Sequence, residues 1–232
     1  MKLLTKSLVI ILLAFIVACQ PKASEENAAS DSTATETNTE DEVVAEITTT
    51  MINPNLATEE ELTAAGLSET LVSQVLEQRP FIDMMDLHNL ANQELDSAEL
   101  VALYGKMFVP FNLNTTDEDN FKIIPGVGDR MAHEFEEYRP YSKLAQFRKE
   151  IGKYVDEEEV ARLEQYIFVP VELNTATEED ILALPGVGKR MAHEFEEYRP
   201  YENLEQFRKE IGKYVDDKEL ARLERFVYLK QQ

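Results

Sequence analysis

The chain is short of cysteine, histidine and positive charge: one Cys, three His, and 23 Lys and Arg against 45 Asp and Glu in 232 residues. The lone Cys19 excludes an internal disulfide and a thiolate metal cluster. His133 and His193 are each followed four residues later by a glutamate, Glu137 and Glu197, which would share a helix face. No third ligand accompanies either pair, so they read as solvated helix surface and no metal is expected. The acidic run Asp156–Glu159 lacks the glycine and spaced oxygens of a calcium loop and reads as the first turn of a helix. There is no nucleophile–base pair, no glycine-rich nucleotide loop and no closed metal set. The expectation is a protein that is not an enzyme and carries no cofactor. The formal charge of −22 favours solubility and works against non-specific association with nucleic acid or anionic lipid.

What the chain does have begins at its N-terminus. Lys2 and Lys6 precede an apolar run, Ser7 to Ala18, that is too short to span a membrane as a mature helix. The run ends in Ile16-Val17-Ala18-Cys19 and resembles a bacterial lipoprotein signal. That resemblance implies cleavage after residue 18 and lipidation of Cys19, hence a chain held in the cell envelope by a lipid anchor. Gln20 after the cysteine resembles the sorting signal of outer-membrane lipoproteins in Gram-negative cells. Residues 19–51 are rich in Ser, Thr, Ala, Asn and Glu, with almost nothing apolar before Val43. They read as a disordered acidic tether with a reach of roughly 30 Å.

From residue 52 the chain is a tandem array of three units of about sixty residues, 52–111, 112–171 and 172–232. Units two and three are a close duplicate, with 33 identities in the 44 positions from Pro125 and Pro185 onward. Unit one is diverged but traceable through Arg79-Pro80-Phe81 against Arg199-Pro200-Tyr201. Each unit reads as four short helices, with almost no strand. In unit three, Thr177 and Asp180 form a capping box that opens a helix to about Leu184. Met191, Ala192, Phe195 and Tyr198 share the apolar face of the next helix, which Pro200 stops. Leu204 and Phe207 mark a third helix, and Asp216 with Glu219 opens a fourth. Phe135, Phe147, Phe195 and Phe207 fall at core spacing, whereas Tyr141 and Tyr201 beside proline are ambiguous.

The most informative block occurs twice: Ile-Ile-Pro-Gly-Val-Gly-Asp-Arg-Met-Ala at 123–132 and Ala-Leu-Pro-Gly-Val-Gly-Lys-Arg-Met-Ala at 183–192. It describes a tight hairpin between two short helices. The first glycine is free to take φ > 0, the valine plugs the turn into the core, and the second glycine leaves the backbone uncovered. The following helix then starts with unpaired N–H groups, a setting suited to a phosphate. The candidate contacts are Gly186, Val187, Gly188, Lys189 and Arg190 in unit three, and Gly126, Val127, Gly128 and Arg130 in unit two. Unit three carries ten Lys and Arg, unit two eight and unit one only two, so unit three is the stronger candidate. Lys143, Arg148-Lys149 and Arg208-Lys209 read as mixed, acid-flanked surface.

Asn174-Thr175-Ala176, the acidic helix start and Leu-Pro-Gly-Val-Gly-Lys-Arg-Met-Ala together resemble the paired helix-hairpin-helix domain of the competence protein ComEA. Unit two has the same pattern at 114–132. The resemblance implies an all-α fold of three paired helix-hairpin-helix units. It also implies weak, sequence-independent binding of duplex DNA outside the cytoplasm, as in DNA uptake. The fold is similar as well to the extrinsic U subunit of photosystem II and to a domain of the minor pseudopilin K of type II secretion, where it serves protein contacts. Three departures bear on the choice. Unit one reads Ala65-Gly66-Leu67-Ser68-Glu69, without the second glycine. The second hairpins read Ile-Gly-Lys-Tyr-Val-Asp at 151–156 and 211–216. Unit two has Asp129 where unit three has Lys189. Two readings therefore stay open: a DNA-binding protein of the envelope, or a protein-interaction module in an envelope or secretion assembly.

Overall fold

The computed structural model describes residues 51–230. The expected signal at 1–18, the lipidated Cys19 and the tether up to residue 50 lie outside the described residues. Among those described, the chain is all-α, with twelve helices and four two-residue strands. No helix among them is long and apolar enough to cross a membrane.

Unit one holds α1 (Glu59–Ala65), α2 (Glu69–Gln78), α3 (Met84–Ala91) and α4 (Ser97–Tyr104). Unit two runs β1 (Phe111–Asn112), α5 (Glu118–Phe121), α6 (Asp129–Glu137), α7 (Leu144–Ile151), α8 (Glu157–Glu164) and β2 (Ile167–Phe168). Unit three repeats the order as β3 (Val171–Glu172), α9 (Glu178–Leu182), α10 (Lys189–Glu197), α11 (Leu204–Ile211), α12 (Asp217–Glu224) and β4 (Val227–Tyr228).

Short polar side chains start most of these helices by accepting from backbone N–H groups that have no partner inside the helix. Thr58 with Glu61, Asp96 with Glu99, and Thr177 with Asp180 form reciprocal capping boxes. Asp156 and Asp216 cap α8 and α12 through the amides of Glu159 and Glu219. The helix expected to reach about Leu184 stops at Leu182, because the Leu184 amide bonds back to the Ile181 carbonyl at 3.1 Å, a tighter turn, and Pro185 disfavours helix in the residue before it.

The strands come from the ends of each unit. β1 pairs in parallel with β2, and β3 with β4, while Ile52 bridges Met107 in unit one. First and last segments of every unit are thus stapled together. Sixty-residue units cannot make large separate cores. Units one and two accordingly share one apolar cluster, through which Phe108, Phe111, Phe121, Phe135 and Phe147 run edge to face. A second cluster around Phe195, Phe207, Leu223 and Phe226 fills unit three.

Two repeated polar motifs turn out to be internal clamps. Asn114 holds the backbone of Tyr141 in both directions, Nδ2 donating to its carbonyl at 2.8 Å and Oδ1 accepting from its amide at 2.7 Å. Asn174 does the same to Tyr201, and Asn55 to Phe81. The arginine before each proline points inward: Arg199 Nε donates to the Leu173 carbonyl at 2.6 Å and Arg139 Nε to that of Leu113 at 2.7 Å. Tyr141 and Tyr201, ambiguous in sequence, are buried.

Candidate nucleic-acid interface

The hairpin between α9 and α10 is built on a four-residue turn, Leu184-Pro185-Gly186-Val187. Proline sits second, Gly186 third with φ +71°, and the Val187 amide closes the turn on Leu184. That is the form of a type II turn, whose third position requires φ > 0. Val187 is buried beneath it, and Gly188, extended at φ −89°, is the N-cap of α10. A Cβ at Gly188 would meet nothing within 4 Å. The second glycine is therefore not needed to fit the rest of the chain; it leaves the surface bare on the outer side. With no side chain to cap α10, the amides of Gly188, Lys189, Arg190 and Met191 have no acceptor among the described residues, the first helical bond being Ala192 to Gly188. Lys189 and Arg190 are exposed, and neither forms an ion pair among the described residues. Four open donors, the positive end of a helix dipole and two unpaired cations converge here.

Unit two repeats the geometry with less charge. Gly126 has φ +84°, Val127 is buried, and Gly128 is an N-cap without a side-chain bond. Asp129 is engaged by Lys122 at 2.7 Å, and hydrogen bonds to Asp119 and then Asp129 raise the Lys122 pKa. Arg130 lies across the Tyr154 ring, 5.7 Å from its centroid. On α6 and α10, Glu134 and Glu194 are buried, each with Oε2 unpartnered among the described residues.

Elsewhere a side chain already takes one of the equivalent donors. In unit one, Ser68 caps α2 by accepting from Leu71 at 3.1 Å, and its hydroxyl donates to Glu94. The second hairpins of units two and three end in the aspartate caps Asp156 and Asp216. Arg148 binds Glu164 through two bonds of 2.6 and 3.0 Å, Arg208 binds Glu224, and Lys143 reaches Asp180 at 2.9 Å. These cations belong to mixed surface. One participant gave no sequence signal: Arg222, on α12, lies under the unit-three turn and donates from Nη1 to the Pro185 carbonyl at 2.7 Å.

Comparison with known proteins agrees with this geometry. Residues 167–228 match the family model of the helix-hairpin-helix motif. No curated protein and no solved structure matches the chain. The matched stretch runs from β2 to β4 and includes all four helices of unit three, so this part of the chain is a helix-hairpin-helix segment.

Proposed function

We propose that the chain is a non-catalytic, envelope-anchored protein that binds duplex DNA weakly and without sequence preference. The unit-three hairpin is the main contact and the unit-two hairpin a lesser one. The observation that carries this reading is the glycine-capped start of α10, with four unsatisfied amides beside Lys189 and Arg190 inside the helix-hairpin-helix segment. Backbone amides on phosphates position a protein but read no bases. Anchoring through a lipid on Cys19 and a part in DNA uptake, on the likeness to ComEA, complete the reading. The outer membrane is the expected place in a Gram-negative cell.

The test is fluorescence anisotropy of a labelled random duplex at low and physiological salt. Contact with about three phosphates gives a slope of log affinity against log salt of about −2.7. A Gly188→Glu, Lys189→Glu variant with unchanged helicity should lose this binding. Absence of binding even at low salt would favour the other reading, a protein-interaction module in an envelope or secretion assembly. The chain's charge of −22 and the engagement of most of its cations by neighbouring acids speak for that reading.

A further inference from the structure

We propose that Arg222 is a positioning residue for anion capture: from beneath, it sets the direction of the Gly186 amide in the unit-three turn. The proposal rests on the phosphate-binding reading of that hairpin and adds a donor and a residue that the reading does not contain. In a type II turn the peptide between the second and third residues is the one whose orientation distinguishes the turn from type I. Here that peptide joins Pro185 to Gly186. Its carbonyl is held by Arg222 Nη1 at 2.7 Å. Arg222 is only 1% exposed. Two more of its donors are held by Glu219, Nε to Oε2 and Nη2 to Oε1, both at 2.7 Å, and its guanidinium lies 5.2 Å from the Phe226 ring centroid.

A peptide is planar, and in the trans form its C=O and N–H point in opposite directions. With the Pro185 carbonyl pulled onto Arg222, the Gly186 N–H is turned away from it. That N–H has no acceptor among the described residues, and Gly186 is exposed. A Cβ on Gly186 would lie on the Arg222 side, 3.3 Å from Nη2 and overlapping Leu56 Cδ1. Arg222 and Leu56 of unit one therefore fill the back of the turn, and the amide face stays open. The Gly186 N–H joins the amides from Gly188 onward as a donor for one phosphate oxygen.

Unit two supplies an internal contrast. Arg162 forms the same pair with Glu159 at 2.6 and 2.7 Å, but it makes no hydrogen bond to the Pro125 carbonyl, and its side chain is 32% exposed. The brace is therefore a second difference between the two hairpins, besides Lys189 in place of Asp129.

The experiment uses the full chain with the double change Arg222→Met, Glu219→Gln. It removes the buried charge together with its partner, so no uncompensated ion is left and the melting temperature should stay close to the original. The parallel change Arg162→Met, Glu159→Gln is the control. With a random duplex as probe, the Arg222 variant should bind about tenfold more weakly with an unchanged salt slope, because the lost donor is a neutral amide and the double change leaves the net charge as it was. The Arg162 variant should change neither. In amide-resolved NMR, duplex should shift the Gly186 resonance of the original chain and not that of the Arg222 variant. Unchanged affinity and an unchanged Gly186 shift in the Arg222 variant would overturn the proposal while leaving DNA binding intact. If the original chain ignores duplex, the DNA reading fails separately, and inorganic phosphate becomes the probe. A Gly186 shift that the Arg222 variant lacks would then support the brace, and no Gly186 shift in the original chain would overturn it.

Discussion

Tyr104, Tyr141 and Tyr201 have their rings in the core, and losing water there disfavours the phenolate. Burial pushes the Tyr104 hydroxyl up to about 12, and it moves Tyr141 and Tyr201 upward as well. Tyr104 also lies 2.6 Å from His88 Nδ1, while the other two hydroxyls face the carbonyls of Glu134 and Glu194. An ordinary tyrosine titrates near 10. These groups hold their protons more tightly when folded, so their contribution is fully present below about pH 10 and is lost as pH rises through the folded values. For Tyr104 alone the loss is on the order of 2 kcal/mol by pH 12. Arg225 acts in the opposite sense, since burial lowers its pKa to about 10, and burial lowers Arg139 as well, but the three buried phenols outnumber these two groups. The chain should therefore lose stability steeply above about pH 10, with some tyrosinate absorbance appearing only as it unfolds. If all nine tyrosines titrated together near pH 10 in the folded chain, these rings would not be buried.

Among the elements, the helix starts divide into closed and open ones, and one substitution should convert one kind into the other. Ser68, Asp156 and Asp216 close α2, α8 and α12, whereas Gly128 and Gly188 leave α6 and α10 open. Gly188 is extended and has room for a Cβ, so aspartate fits without strain. Gly188→Asp should hold or raise stability by a few tenths of a kcal/mol, as a cap does relative to glycine. It should also cut duplex affinity at least tenfold, because a carboxylate then occupies the amides. Gly128→Asp should cost less binding, since Asp129 already opposes phosphate there. Paired melting and anisotropy measurements decide it, and a Gly188→Asp chain that binds normally would remove α10 from the interface. Much of this was legible in the sequence. Thr177 with Asp180 and Asp216 with Glu219 are local signals, and each marks a helix start that the structure contains. The parallel pairs β1–β2 and β3–β4 were not legible. They join residues some 56 positions apart, such as Phe111 and Ile167, and two residues carry too little pattern to declare a strand.

On the scale of the whole molecule, the repeat gives three units because it is written twice almost verbatim, but it says nothing of how they meet. Each meeting point uses at least one residue that differs between units. Leu56 lies on Gly186, Lys218 Nζ reaches the Arg79 carbonyl at 3.4 Å, Arg225 reaches that of Pro110 at 3.2 Å, and Met51 donates to Gln165 at 3.1 Å. Arg222 was missed for a related reason: its bond to Pro185 spans 37 residues and has no local signature. The charge balance then sets a test of opposite signs. A chain at −22 repels itself, and salt screens that repulsion. Salt also weakens its ion pairs, but most have an exposed partner, and such pairs are worth about 0–1 kcal/mol each. The self-repulsion should dominate. Raising sodium chloride from low to physiological strength should then stabilise the fold by about 1 kcal/mol, or raise Tm by about 2–4 °C for a domain of this size. With a slope of about −2.7, the same change should weaken duplex binding by more than about tenfold through counterion uptake. Melting curves and anisotropy on one salt series measure both. A Tm that falls with salt would show that the surface ion pairs outweigh the net charge.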